Sequence, residues 1–166
     1  MKTVLVLGAG LVTKPLVRYL LDAPDIQVVV ASRTVSRAQA LVEDHPQGKA
    51  RELNAKDTQA LREMIAESDL AISLLPYIYH PKVAEICVEM GKDMVTTSYV
   101  SPSMRALDEA AEEAGVILLN EIGVDPGIDH MSAMKIIDEV QDKGGKVTSF
   151  RSWCGGLPAP EANTNP

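Results

Sequence analysis

The chain of 166 residues is long enough for one ordinary domain with a sizeable core, and its 46% hydrophobic and 23% charged content excludes wholesale disorder. Sixteen basic against twenty-three acidic residues leave a formal charge of −7, which excludes nucleic acid and anionic membrane surfaces as general partners. No uncharged apolar run approaches the ~20 residues needed to span a bilayer, and with one Phe and one Trp the core must be aliphatic.

Residues 3–7, Thr-Val-Leu-Val-Leu, predict a buried strand running into the turn Gly8-Ala9-Gly10-Leu11-Val12 and then a helix. Met1-Lys2 before this apolar run has the look of a secretory signal, but Lys14, Pro15 and Arg18 follow too quickly for one, and a strand and turn account for the segment better. Gly8 and Gly10 allow a tight turn and a close approach to a pyrophosphate, whose charge the free amides and dipole of the following helix would favour. Thr13 stands where a dinucleotide fingerprint prefers Gly or Ala, so the same pattern also fits a tight turn that holds nothing. Helical spacing places Val12, Leu16, Tyr19 and Leu20 on one face, with Pro15 near the helix start, where its missing N–H costs little. The second strand, 26–31, exits into Ser32-Arg33-Thr34, roughly where an NAD site carries its ribose-binding carboxylate. There is no carboxylate here. Arg33 between two hydroxyls suits a 2′-phosphate instead, so the expected cofactor is NADP.

A second helix over 35–44, a strand over 50–53 and a third helix from Asp57 to about 67 follow. Asn54 and Asp57 fall where an adenine edge would lie, and suit turn and cap positions equally. The fourth strand, 70–75, is almost uniformly apolar, as a strand covered on both faces would be. It exits into the rigid, uncharged loop 76–81, and the next helix, to about 90, carries Val83, Ile86, Cys87 and Met90 on one stripe, making Cys87 a core residue. A strand over 93–98, a helix capped by Ser101 with Pro102 in its first turn and running to about 114, and a strand over 116–120 complete the alternation. A last helix is expected from Pro126, with Ala133, Ile136, Ile137 and Val140 inward and Gly144-Gly145 stopping it, then a strand over 146–154. The tail beyond is turn chemistry, as of a chain cut off mid-protein.

Strands alternating with helices predict an α/β fold, a doubly wound parallel sheet of the Rossmann-like kind over 1–125, with the beginning of a truncated second α/β domain over 126–166. Ligands of such sheets bind beyond the carboxyl ends of the strands, so the stretches 8–13, 32–34, 74–80, 97–99 and 121–127 should converge on one crevice. The cofactor-binding candidates are accordingly Gly8, Gly10, Leu11, Val12, Ser32, Arg33, Thr34, Leu74, Leu75, Pro76, His80, Thr97 and Ser98. Cys87 and Cys154 share no C-x-x-C spacing, which supports neither a disulfide framework nor a zinc site; with no spanning run and no signal segment, a cytoplasmic protein is expected. No His or Cys pair, His80 and His130 included, sits at ligand spacing, so no metal is expected.

Taken together, Gly8-Ala9-Gly10, Ser73-Leu74-Leu75-Pro76-Tyr77 with His80-Pro81, Thr97-Ser98-Tyr99-Val100-Ser101-Pro102, the run from Asn120-Glu121 through Asp125-Pro126-Gly127 to Asp129-His130, and Cys154-Gly155-Gly156-Leu157-Pro158-Ala159-Pro160-Glu161 resemble the L-glutamate-forming saccharopine dehydrogenases. The resemblance implies a Rossmann-like cofactor domain, a second α/β domain holding most of the amino acid substrate, and interconversion of saccharopine with L-glutamate and 2-aminoadipate 6-semialdehyde in lysine metabolism. It also implies Asp125, Cys154 and Tyr99 as proton-transfer candidates, the carboxylate best suited as base or water activator. An Asp before Pro at a helix start is also an ordinary cap, and the two roles are compatible. Two other functions remain open from the residues: a reductase for another amino acid or polyamine conjugate, and a non-catalytic NADP-binding module. Apolar surface that would face the rest of the second domain makes a homodimer a further expectation.

Overall fold

The computed structural model describes residues 1–153 and 155. Its strands are β1 (Lys2–Leu7), β2 (Ile26–Ser32), β3 (Gly48–Glu52), β4 (Leu70–Ser73), β5 (Asp93–Thr96) and β6 (Leu118–Leu119). All pair in parallel in the order β3-β2-β1-β4-β5-β6, so the expected doubly wound sheet is present and its strand order reverses between β1 and β4. Helices α1 (Thr13–Leu21), α2 (Val35–Val42), α3 (Thr58–Ala66), α4 (His80–Glu89), α5 (Pro102–Arg105), α6 (Asp108–Ala114) and α7 (Ile128–Asp142) make the crossovers and the tail.

The central strands β1, β2 and β4 are largely apolar because both sheet faces are covered there, whereas the edge strand β3 carries Lys49, Arg51 and Glu52. Val4, Val6, Val28 and Val30 point to one side, where Val17 and Leu21 of α1 and Ala38, Leu41 and Val42 of α2 close over them. Leu5, Leu7 and Ala71 point to the other, against Leu61 and Ile65 of α3 and Val83, Ile86 and Cys87 of α4. Each such Val or Leu contributes about 1.5–3 kcal/mol of transfer free energy. Cys87 is the core residue expected, and burial pushes its thiol pKa up to about 12.

Several expectations need correction. On α1 the inward stripe is Thr13, Val17 and Leu21, whereas Val12 and Tyr19 are exposed. The stripe follows i, i+4, i+8 from the buried Thr13, so the helix is rotated relative to the apolar count. β4 and β5 end two residues early, at Ser73 and Thr96, because the chain turns where side-chain bonds replace the ladder. The single helix expected over 102–114 is two. The Leu107 amide bonds the Met104 carbonyl three residues back, tightening the turn and re-aiming the chain so that both Met104 and Ala111 are buried.

The backbone divides into two compact units, Met1–Ile122 and Gly123–Pro166. In the second, α7 starts at Ile128 rather than 126, after Gly127, whose φ of 147° and lack of a Cβ are both required: a Cβ there would collide with the Gly123 backbone. No side chain of α7 is buried; Ala133, Ile137 and Val140 are half-buried, but Ile136 faces solvent. Residues 146–153 form no strand among the described residues, because no ladder partner is present there.

Candidate functional site

β1 delivers its last buried residue, Leu7, into the glycine turn. Gly8 has φ 114°, and a Cβ on it would come within 2.9 Å of the Leu74 carbonyl oxygen, so only glycine lets the turn lie against the exit of β4. Gly10 is different. A Cβ there would meet nothing, so what this glycine keeps clear is the cavity it lines. Thr13, the departure from the fingerprint, fastens the turn: its Oγ1 accepts from the Gly10 amide at 3.1 Å and donates to the Gly8 carbonyl at 3.5 Å. The amides of Leu11 and Val12 make no hydrogen bond among the described residues, and Leu11 and Val12 themselves stand fully in solvent above the start of α1.

A cavity of about 330 Å³ opens over the carboxyl ends of β1, β2 and β4. It brings together Gly8 and Gly10, Ser32 and Arg33, and Leu74, Leu75 and Pro76, as expected, and adds Arg37, Asn54, Lys56 and Tyr79. A larger hollow of about 380 Å³, lined by Thr3, Gln27, Lys49 and Glu67, lies away from the turn near the amino ends of β1 and β2; lacking the glycine turn, it lacks the groups that bind phosphate. Thr34 stands just before α2 without a side-chain capping bond, and its amide donates to the Ser32 hydroxyl at 3.2 Å, so this pair shapes the turn on which Arg33 rides. Arg33, Arg37 and Lys56 are in no ion pair among the described residues, although Lys14 and Arg18 nearby both pair with Glu43. Three unneutralised cations at the β2 and β3 end fit a dianionic phosphate. Arg37 on α2 and Lys56 in the loop after β3 carry no spacing in the sequence that ties either to Arg33, which precedes the helix. Of the adenine candidates, Asn54 lines the cavity and Asp57 does not: its side chain accepts from the Ala60 amide at 3.0 Å as the cap of α3.

His80 was expected as a loop residue in contact with cofactor. It is instead the first residue of α4, buried beneath the cavity wall. Its Nδ1 lies 2.9 Å from Ser73 Oγ, its Nε2 2.9 Å from Ser98 Oγ and 3.2 Å from Thr96 Oγ1, and burial among these uncharged hydroxyls lowers its pKa. Leu11, Val12, Thr34, Thr97 and Ser98 likewise do not line the cavity; Thr97 and Ser98 extend from β5 beside it, the Ser98 carbonyl accepting from the Glu121 amide at 3.1 Å. Tyr99 next to them is exposed, and the Val100 amide donates to Glu121 Oε1 at 3.1 Å.

In the second unit Asp125, Asp129 and His130 offer ligand atoms within 4.8 Å of one another. Asp125 is exposed and lies two residues before Gly127, which occupies the cap position of α7. Asp129 Oδ1 instead accepts from the Gly127 amide at 3.0 Å and lies 2.8 Å from His130 Nδ1. Desolvation raises the Asp129 pKa, but the bonds from His130 and the local amides outweigh it, so the carboxyl lies below its usual range. Cys154 lies outside the described residues.

Comparison with known proteins bears directly on this arrangement. Residues 4–119 match the family model described as "Saccharopine dehydrogenase NADP binding domain", and residues 123–166 match "Saccharopine dehydrogenase C-terminal domain". The chain belongs to the saccharopine dehydrogenase family. Saccharopine dehydrogenase (NADP(+), L-glutamate-forming) of Schizosaccharomyces pombe is 49% identical over 166 residues, all of this chain and 37% of that protein. Mitochondrial alpha-aminoadipic semialdehyde synthase of Rattus norvegicus is 40% identical over 99% of this chain and 18% of its own length. The apo structure of the Saccharomyces cerevisiae L-Glu-forming saccharopine dehydrogenase superposes with TM-score 0.83 at 48% identity, over 100% of this chain and 37% of that one. A Gfo/Idh/MocA family oxidoreductase of Vibrio cholerae, at 16% identity and TM-score 0.59, shares the fold alone. The chain therefore spans little more than a third of the length of the saccharopine dehydrogenases it matches. No described helix is long and apolar enough to cross a membrane.

Proposed function

We propose that the chain supplies the cofactor-binding part of an NADP-dependent oxidoreductase that acts on the secondary amine of saccharopine. The reaction consumes saccharopine, NADP and water and yields L-glutamate, 2-aminoadipate 6-semialdehyde and NADPH, or runs in reverse. The observation that carries this reading is the unpaired trio Arg33, Arg37 and Lys56 at one end of a cavity whose floor is the Gly8–Gly10 turn. The free amides of Leu11 and Val12 at the start of α1, where the helix dipole favours an anion, would hold the pyrophosphate, and Arg33, Arg37 and Lys56 would hold the 2′-phosphate. Bound NADP supplies the hydride acceptor.

The residues then do four things. The turn and Thr13 would hold the dinucleotide, Leu74, Leu75 and Pro76 would give its middle a dry wall, and Tyr99 bonds or packs the substrate. Asp125 takes the proton of the secondary amine and activates the water that opens the imine, with Cys154 a second proton-transfer group. A cytoplasmic location, supported by the buried, unpaired Cys87 thiol, and a homodimer are part of the same reading. Turnover of the full-length protein with saccharopine and NADP, followed at the NADPH absorbance, tests it; activity restricted to a different amino acid or polyamine conjugate would replace the substrate, and no turnover with any would leave a binding module.

A further inference from the structure

His80 is buried and titratable, and the reaction proposed above gives its ring no task. Its proton can be assigned. Thr96 Oγ1 has one hydrogen, which it donates to the Ser73 carbonyl at 2.9 Å, so toward His80 Nε2 at 3.2 Å it can only accept. Nε2 therefore carries the imidazole proton and shares it between Thr96 and Ser98 Oγ at 2.9 Å, while the bare Nδ1 accepts from the Ser73 hydroxyl at 2.9 Å. The ring is neutral and fully bonded, and it joins three pieces of chain: Ser73 ends β4, His80 opens α4, and Thr96 ends β5 with Ser98 just beyond.

Two of the tied residues adjoin the cavity wall, His80 through Tyr79 before it and Ser73 through the residues after it. Ser73 is followed at once by Leu74, Leu75 and Pro76 of the cavity wall. A doubly wound sheet accepts a dinucleotide with one nucleotide on each side of the strand reversal. With the 2′-phosphate among the cations beyond β2 and β3, the nicotinamide half must lie over the exits of β4 and β5, the two exits that His80 clasps.

We propose that His80 is the positioning residue for the nicotinamide half of the crevice, its Nε2–H tautomer fixing the exits of β4 and β5 relative to each other so that the Thr97-Ser98 backbone is held in one geometry against the wall at 74–76 that borders the dinucleotide's middle. The proposal rests on the NADP reading above. It is distinct from a general packing role, because the cations that would take the 2′-phosphate follow β2 and β3, to which His80 makes no hydrogen bond among the described residues.

Calorimetric titration of the full-length protein with NADPH, which occupies both halves, and with 2′,5′-ADP, which occupies the adenosine half alone, separates the two. In His80→Leu the Kd for NADPH should rise on the order of tenfold, the scale of one or two buried hydrogen bonds, while that for 2′,5′-ADP stays within about twofold. Ser73→Ala, which deletes one oxygen and keeps the ring's outer bonds, should show the same selectivity at about threefold, and stands in if His80→Leu does not fold. Equal weakening of both ligands, or of neither, would overturn the inference. Wild-type protein without NADPH affinity would overturn the cofactor reading and this inference with it, whereas wild-type affinity combined with unselective variants would overturn this inference alone.

Discussion

At the scale of single residues, the site depends on what a few side chains leave out as much as on what they supply. Gly8 sits at φ 114° with the Leu74 carbonyl where a Cβ would go. Gly8→Ala should cost roughly 2–4 kcal/mol and abolish NADPH binding, read as a lowered Tm without ligand and no rise in Tm on adding it. A variant with unchanged Tm would mean that the turn is looser than this geometry. Thr13 was legible only as a departure from a glycine motif, since no spacing rule says that a hydroxyl turns back to bond the Gly10 amide and the Gly8 carbonyl. Asp125→Asn in the full-length protein should lower turnover by at least about a hundredfold, as loss of a general base does, with NADPH affinity unchanged; normal turnover would reduce Asp125 to a residue that shapes the entry to α7.

At the scale of elements, sequence patterning located every strand and helix of the sheet but not which way the helices face. Strands covered on both sides carry no alternation, and the α1 apolar set of Val12, Leu16, Tyr19 and Leu20 is displaced from the buried Thr13, Val17 and Leu21 by part of a turn. The ends of β4 and β5 were read as longer because Leu74, Leu75 and Thr97 are as apolar or β-branched as the strands before them; the His80 hydroxyl cluster that ends both cannot be seen without the fold. That cluster also sets a pH dependence. The folded pKa of His80 lies below 6.5 because burial penalises the cation, so the unfolded chain takes up more protons as pH falls. The stability gained from burying neutral His80 is full above about pH 6.5 and declines as pH drops from there toward the folded pKa. Urea unfolding of wild type between pH 5 and 7.5 should show that loss on the acid side, and His80→Gln should flatten it; identical acid slopes would contradict the assignment.

At the scale of the molecule, the doubly wound sheet divides labour across its strand reversal: cations that no carboxylate neutralises among the described residues on the β2 and β3 side, uncharged apolar walls on the β4 side. The sequence made Arg33 legible through the carboxylate missing at the end of β2, whereas Arg37 and Lys56 reach the same place from a helix and a loop whose approach only the fold defines. The claim on which the account turns is that these cations recognise a 2′-phosphate. It is met most directly by titrating the full-length protein, wild type and Arg33→Ala, with NADPH and NADH side by side. The account predicts that wild type binds NADPH at least about tenfold more tightly than NADH, the scale of one charge-assisted contact, and that Arg33→Ala loses most of that preference while its NADH affinity holds. Equal affinities for the two dinucleotides in wild type, or an equal loss for both in Arg33→Ala, would contradict it.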